Sequence, residues 1–243
     1  MGDEGIQTPM LSFAHTAGAG DIIHALPLVR ALGGGELHID GRKDAACDVF
    51  AALSRLLSAQ PYVRAVHRRI PGAAVDFDLD AIWNDVESSY KSHAASYFAA
   101  LKVEESPDWR RSWLSVLPRH PGGDGGFAVI SRTARYREGS KIDWPWLVRK
   151  ILARHRRAFF VGFADEHAGF VREVDADIPF LPTADLFETA GYIAASEALY
   201  SNQSACYAIA QGLGKPIFLE TRPHYRKRAF IGLTDEYDLE DEE

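Results

Sequence analysis

The segment AGAGDIIHALPLVRAL, residues 17–32, joins a glycine-rich turn to an apolar helix and carries one acid, Asp21. Glycine-rich turns before helices commonly bind phosphate, but a carboxylate at this point would repel a phosphate. Aspartate also caps helices, which stabilises them by about 0.5–2 kcal/mol. Beside Gly18 and Gly20, where another molecule can approach the backbone closely, the carboxylate could instead accept a proton from a hydroxyl as a general base. The segment alone leaves both roles open.

The same turn does not complete the dinucleotide-binding pattern GxGxxG, because Ile23 stands at the third glycine position. We therefore predict no nicotinamide or flavin cofactor, and no cofactor of another kind. His24 lies one helical turn after Asp21. It would either help to bind an acceptor or be a partly buried structural histidine.

A second candidate turn lies in SNQSACYAIAQGLGKP, residues 201–216, which leaves a strand and enters a helix rich in small residues. Ser204 stands at the predicted helix start, where unpaired N–H groups and the positive end of the helix dipole favour an anion. The alternative is that Ser204 only caps this helix. Small residues such as Ala205 would permit either close helix packing or close ligand approach.

Two further segments follow predicted strands of the second half. SRTARYREGSKIDWP, residues 131–145, carries cations that could neutralise a pyrophosphate or simply form a solvated loop; they are Arg132, Arg135, Arg137 and Lys141. VGFADEH adds Gly162 and Glu166, and the carboxylate could hold a ribose hydroxyl pair or be a surface acid.

Composition and motifs exclude several other classes of protein. The chain has 243 residues and a formal net charge of −7, which argues against a nucleic-acid partner. It contains no HExxH, GxSxG or Walker A pattern and no His/Cys zinc spacing. We find no apolar run long enough to cross a membrane and no signal peptide. We therefore predict a cytoplasmic protein, with peripheral attachment to a membrane as an alternative.

Two segments have competing interpretations. VDFDLD places Asp76, Asp78 and Asp80 in period two on one face of a predicted strand, and a DxD motif can hold a divalent cation on a donor diphosphate. An acidic strand end is the simpler interpretation, and we predict no metal site. WRRSW, residues 109–113, could contact an acceptor or a membrane surface, although packing between the two halves is favoured.

Alternating strands and helices must position these turns. In the first half, strands are predicted at residues 9–14, 36–40, 62–67 and 75–83, with helices at 21–32, 45–58 and 85–102. The second half has predicted strands at 127–132, 158–163, 198–202 and 215–220, with helices at 144–155, 185–195 and 204–213. This alternation predicts parallel sheets with helices on both faces, and such sheets bind ligands at the carboxyl ends of their strands.

A proline- and glycine-rich joint, LPRHPGGDGG, separates the two halves at residues 117–126. We therefore predict an N-terminal Rossmann-like domain at 1–120 on the acceptor side. A C-terminal Rossmann-like domain at 121–234 would bind the donor across a cleft. The acidic end DEYDLEDEE, at 235–243, is predicted to be a solvated tail.

The arrangement resembles the heptosyltransferase-type glycosyltransferases of family 9, which have the two-domain GT-B fold. GAGDIIHALPLVRAL is close to the family's pattern of a glycine-rich turn, Asp, two aliphatics, His and Leu-Pro. KIDWPW, VGFADEH and AIAQGLGKP add weaker matches, so the resemblance spans nearly the whole chain. It implies an α/β, GT-B-like fold with two Rossmann-like parallel-sheet domains facing a cleft.

The resemblance also implies a function. A sugar would pass from a nucleotide-sugar donor to the hydroxyl of a glycan, lipid-linked or small-molecule acceptor, with inversion and without a metal. Asp21 would be the catalytic base, Lys141 and Ser204 would contact donor phosphates, and Glu166 would face the nucleoside.

The chain departs from the family in two ways. Where the family has Asp-Ser-Gly followed by a histidine, this chain has Gln203, Ser204 and Ala205, with Ala208 at the histidine position. The donor therefore need not be ADP-heptose. A non-catalytic nucleotide-sugar-binding or scaffold protein of the same fold is the alternative. The shortened first domain implies a different or smaller acceptor.

Overall fold

The computed structural model describes residues 10–42, 47–84, 92–105, 107–122, 125–134, 142–221 and 236–239. Within these ranges the strands form two separate sheets, and every pair of neighbouring strands is parallel. Helices lie between most consecutive strands, as the alternation of apolar and helical segments predicted. The predicted α/β fold class is confirmed.

The first sheet has the strand order β3-β2-β1-β4. Its strands are β1 (Leu11–Ala17), β2 (Gly35–Gly41), β3 (Val63–Arg68) and β4 (Phe77–Asp78). The helices of this half are α1 (Ala19–Ala31), α2 (Val49–Ser58) and α3 (His93–Ala100).

The acidic segment of this half differs from its prediction. A strand was expected over residues 75–83, but β4 holds only two residues and the chain continues as a 3₁₀ helix, Leu79–Asn84. Asp78 ends the strand because its side chain accepts a hydrogen bond from the Asp80 backbone N–H (3.1 Å), which bends the chain. The prediction of three aspartates on one strand face is therefore wrong.

The second sheet has the order β6-β5-β7-β8-β9. Its strands are β5 (Ala128–Ser131), β6 (Ala158–Phe160), β7 (Ala198–Asn202), β8 (Ile217–Glu220) and β9 (Glu236–Asp238). The helices are α4 (Trp144–Arg154), α5 (Ala164–Val174), α6 (Leu186–Ala195) and α7 (Ala205–Leu213). Strands β5 to β8 are buried at every residue, which is typical of a parallel sheet covered on both faces.

The acidic C-terminal segment is not wholly a solvated tail. Residues 236–238 form β9, which pairs with β8 at the edge of the second sheet. Asp238 is buried and accepts a hydrogen bond from the Thr221 hydroxyl (2.8 Å), and the next residue, Leu239, enters the core. The strand was not predicted because Tyr237 and Leu239 are the only apolar residues of the acidic segment 235–243.

Helix α1 lies between the two halves. Its residues 22–29 are all buried, and a helix that is apolar on all sides must be covered on all sides. It packs against α3 of its own half and against α7 of the other half. The same hydrophobic cluster includes Phe13 and Leu26 from the first half and Tyr207 and Ile217 from the second. The two halves therefore share a core at this helix pair.

The connecting segment also packs between the halves. Trp109 and Trp113 are both buried, in agreement with the packing interpretation of WRRSW. The Trp113 carbonyl accepts a hydrogen bond from the Tyr62 hydroxyl (2.5 Å), and the Leu114 N–H donates to the Gly212 carbonyl on α7 (2.8 Å). Among the described residues, no helix is both long and apolar enough to span a bilayer.

We expect the substitution Trp113→Ala to lower the free energy of unfolding by about 3–5 kcal/mol, because it leaves a cavity where the connecting segment meets α7. Urea denaturation would measure the change. Trp146→Ala is the matched control, since Trp146 is on the surface of α4 with 38% of its area exposed. Equal losses in the two variants would contradict the role given to Trp113.

Candidate functional site

Asp21 lies where β1 passes into α1, as the third residue of the helix. Its Oδ2 accepts a hydrogen bond from the Gly18 N–H (3.1 Å), which caps the helix. Its Oδ1 lies 2.9 Å from Nε2 of His93, the first residue of α3. The side chain keeps 23% of its area exposed. The cap role is thus present, and the carboxylate still reaches the surface.

His93 was missed by the sequence analysis. Ser92 caps α3, with its hydroxyl oxygen accepting from the Ala95 N–H (3.4 Å), and this cap fixes His93 against the α1 turn. The Nε2–H bond does not point straight at the Asp21 carboxylate, so the contact is a close electrostatic one rather than a linear hydrogen bond. Ser92 before His93 is a sequence signal for the start of a helix. The contact between His93 and Asp21 could not be found from the sequence, because the two residues are far apart in the chain.

Three histidines control the ionisation of Asp21. Burial alone would raise the pKa of the Asp21 carboxyl, but the contact with His93, together with smaller contributions from His15 and His24, outweighs this effect. The result is a pKa well below the usual range of an aspartate. Asp21 is therefore a carboxylate at every pH at which the protein would work.

A series of hydrogen-bonded polar side chains contacts the backbone of the Asp21 turn. The Tyr97 hydroxyl donates to the Asp21 carbonyl (2.9 Å) and lies 2.8 Å from Nε2 of the fully buried His15. Nδ1 of His15 lies 2.6 Å from Asp80, whose carboxylate also pairs with Arg69. Tyr97 is four residues after His93, so one face of α3 contacts Asp21 twice.

The aspartates of the DxD-like segment have partners within the protein. Asp76 accepts hydrogen bonds from the N–H and the hydroxyl of Ser12 (2.8 and 2.7 Å), and Asp78 pairs with Arg69 (3.1 Å). Among the described residues, no group of three or more His, Cys, Asp or Glu side chains is arranged to hold a metal ion. These contacts tie the end of β4 to β1 and β3.

His24 is buried between the two halves. Burial, reinforced by the nearby His93, lowers the pKa of His24 to about 3, so the ring is neutral. Its Nε2–H donates to Oε1 of Gln211 on α7 (2.8 Å), and the Gln211 amide in turn donates to Glu236. This environment agrees with the interpretation of His24 as a buried structural histidine. An acceptor contact by His24 stays a prediction.

The second half brings the start of α7 to the same turn. Gly20 faces the backbone of Ser204 and Ala205, and a Cβ at Gly20 would lie 3.6 Å from the Ala205 Cα. The close approach expected of a ligand at Gly20 is thus made by α7. The Ser204 hydroxyl does not cap α7 but lies 3.3 Å from that of Ser201. This geometry leaves the first N–H groups of α7 without a side-chain cap.

The other predicted donor residues lie at the carboxyl edge of the second sheet. Gly162, with φ of +145°, follows β6, and Glu166 accepts from the Phe163 N–H (3.2 Å) as part of the α5 cap. Gln203 precedes Ser204 in the turn after β7. Their contacts with a nucleotide stay predictions.

Of the cationic residues predicted to contact the donor, Arg132 lies within the described part of the chain. Arg132 is buried and binds both carboxylate oxygens of Glu220 (2.8 and 2.9 Å) and one of Glu173 (2.6 Å). These ion pairs give it a role in the fold, and its contact with a phosphate stays a prediction. Arg135 and Lys141 lie outside the described residues.

No protein-family model and no curated protein matches the chain. Its structure is similar to that of the E. coli heptosyltransferase WaaC with ADP, with a TM-score of 0.63, 13% identity, and coverage of 94% of this chain and 92% of that one. The family 9 glycosyl transferase from Veillonella parvula gives a TM-score of 0.60 at 12% identity, over 86% of this chain and 79% of that one. The E. coli ADP-heptose LPS heptosyltransferase II gives 0.51 at 10%, over 87% and 84%.

The chain has a GT-B-like fold. The predicted resemblance to the heptosyltransferase-type glycosyltransferases is therefore confirmed at the level of the fold. In this GT-B-like arrangement, the turns that follow β1 and β7 lie at the carboxyl ends of their strands, where α/β sheets bind ligands. Asp21 and Ser204 come from these two turns.

We expect Asp21→Asn to lower the free energy of unfolding at neutral pH by on the order of 2 kcal/mol, because the contacts of the carboxylate with the Gly18 N–H and with Nε2 of His93 are weakened. A folded-state pKa below the unfolded value of about 4 stabilises the protein above that value. The difference between wild type and variant should be constant above about pH 5 and should shrink as the pH falls through 4.

Urea denaturation at several pH values from 7 to 3 would measure this dependence. Asp177→Asn, at an exposed acid of the second half, is the control and should change little at any pH. A difference for Asp21→Asn that is the same at pH 3 and pH 7 would contradict the assigned ionisation.

Proposed function

We propose that this protein is a glycosyltransferase that moves a sugar from a nucleotide-sugar donor to an acceptor hydroxyl. One observation carries the proposal. Asp21, a carboxylate held in its charged form, belongs to the turn whose Gly20 faces the start of α7, and the first N–H groups of that helix lack a side-chain cap. A group that promotes loss of a proton and a group that binds an anion are the two requirements of sugar transfer from a diphosphate.

The start of α7 is suited to the donor diphosphate. Backbone N–H groups and the helix dipole stabilise an anion there, and they act most strongly on the charge that develops as the diphosphate leaves. We assign Ser204 and Ala205 to this anion site, with Lys141 as a further cation. Gly162 and Glu166 belong to the nucleoside side, because they follow β6, which lies two strands away from β7 in the same sheet.

The acceptor belongs on the side of the first half. Its hydroxyl would approach the Gly18–Asp21 turn and lose its proton as its oxygen attacks the anomeric carbon. The bond from that carbon to the diphosphate breaks on the opposite face, which inverts the configuration. The proposed reaction takes place in one displacement, and the helix start, rather than a metal ion, stabilises the leaving group.

Proteins of similar structure support the donor class. E. coli heptosyltransferase WaaC with ADP-2-deoxy-2-fluoro heptose has a TM-score of 0.59 to this chain, at 13% identity. We extend only the class, a nucleoside diphosphate sugar, to this protein. Ala208 is fully buried in α7 and Gln203 is uncharged, so the sugar and base need not be those of that ligand.

A thermal-shift panel of nucleoside diphosphates and their sugars should identify one stabilising donor. With that donor, Asp21→Asn should lower turnover by about 10²–10⁴-fold, because the carboxylate that promotes loss of the hydroxyl proton is lost. Donor binding should stay unchanged, and Asp177→Asn should keep wild-type turnover. EDTA should have no effect, and NMR of the product should show inversion.

Two other outcomes identify the alternatives. A nucleotide sugar that stabilises the protein but is never consumed, with any acceptor, would indicate the non-catalytic binding protein. Turnover that EDTA abolishes, that Asp78→Ala destroys and that Asp21→Asn leaves intact would indicate the metal-dependent DxD mechanism.

A further inference from the structure

The Asp21 carboxylate is poorly placed to keep a proton. Oδ2 accepts from the Gly18 N–H, and Oδ1 faces His93 Nε2 at 2.9 Å. A base whose charged form is this well stabilised takes up a proton only with difficulty, since catalytic bases work best when their pKa lies near the working pH. Asp21 has the features of a group that orients and stabilises another base.

His93 has the complementary features. Its Nε2 is buried and faces a carboxylate, so the neutral ring carries its proton on Nε2. The lone pair is then on Nδ1, to which no residue of the described ranges donates a hydrogen bond. The side chain is 17% exposed, so the ring is held by protein on most sides and open on the remainder.

We propose that Nδ1 of His93 accepts the proton of the acceptor hydroxyl and that Asp21 orients this ring and stabilises it once charged. The inference rests on the proposed function and names the basic atom of the same site. As the O–H bond breaks, its proton goes to Nδ1 and the hydroxyl oxygen bonds to the anomeric carbon. The electron pair of the broken sugar–phosphate bond leaves with the diphosphate. The imidazolium that forms lies against the Asp21 carboxylate.

The other polar and charged groups around the ring do not replace it. His24 of α1 lies with its ring centroid 5.1 Å from that of His93, is buried, and has a pKa of about 3. Tyr97 of α3 donates its proton to the Asp21 carbonyl. His15 of β1 contacts the Tyr97 hydroxyl through Nε2 and is fully buried. Trp83 of the 3₁₀ helix, 6.3 Å away by ring centroids, has no ionisable group.

The tautomer of His93 gives a test that needs no substrate. In the full chain labelled with ¹⁵N-histidine, the ring of His93, assigned by its absence in His93→Gln, should carry its neutral-form proton on Nε2 with Nδ1 bare. In Asp21→Asn this preference should be lost. A proton on Nδ1 in the wild type, or a ring that stays doubly protonated across the neutral range, would overturn the proposal.

The pH dependence of turnover gives the second test. His93→Gln should lower kcat by about 10²–10⁴-fold with little change in the KM for the donor. The wild-type rate should fall as the pH is lowered, because the ring must be unprotonated, and this acid limb should be absent from the residual rate of the variant. His67→Gln, at a half-exposed histidine on β3, is the matched control and should keep both the rate and the limb.

The outcomes separate the two proposals. If His93→Gln keeps the wild-type kcat and acid limb while Asp21→Asn is impaired, His93 is not the base, and the glycosyltransferase proposal stands with Asp21 itself as the base. If both variants keep wild-type turnover, the proposed function of the site fails as well.

Discussion

A carboxylate at the junction of two packed halves is costly unless neighbouring groups compensate its charge, and the surroundings of Asp21 supply that compensation. The start of α1 contributes a backbone N–H and the positive end of its dipole. Helix α3 contributes His93 to the side chain and Tyr97 to the carbonyl. Both contacts come from one face of α3, since residues four apart lie on the same side of a helix. The arrangement fixes the carboxylate and keeps it ionised.

The relation between the halves depends on helices α1 and α7. Residues 22–29 of α1 are buried on every side, between the first sheet and the opposite half. Dispersion and apolar burial hold this contact but do not fix its register. The polar chain from His24 through Gln211 to Glu236 does so, since a shift would leave buried hydrogen-bonding groups unpaired. The chain thereby sets the Gly18–Asp21 turn against the start of α7.

Charged residues near strand ends can form ion pairs within the protein rather than bind a ligand. Arg132 follows a strand of the ligand-binding edge, yet its guanidinium is buried between Glu220 and Glu173. Asp80 likewise pairs with His15 and Arg69. A planar guanidinium gains most from bidentate contacts, and these are available inside the protein as well as on a phosphate. Residue type alone therefore does not separate an internal ion pair from a binding site.

The sequence by itself determined the alternation of strands and helices, the glycine-rich turn and the position of Asp21 at the start of α1. These features follow from apolar periodicity and helix capping, which act between residues a few positions apart. Only the tertiary structure decided that His93 faces Asp21, that Gly20 faces α7, and that residues 236–238 add a strand to the second sheet. Such pairings depend on how distant segments pack, and many partners of equal chemistry compete for each of them.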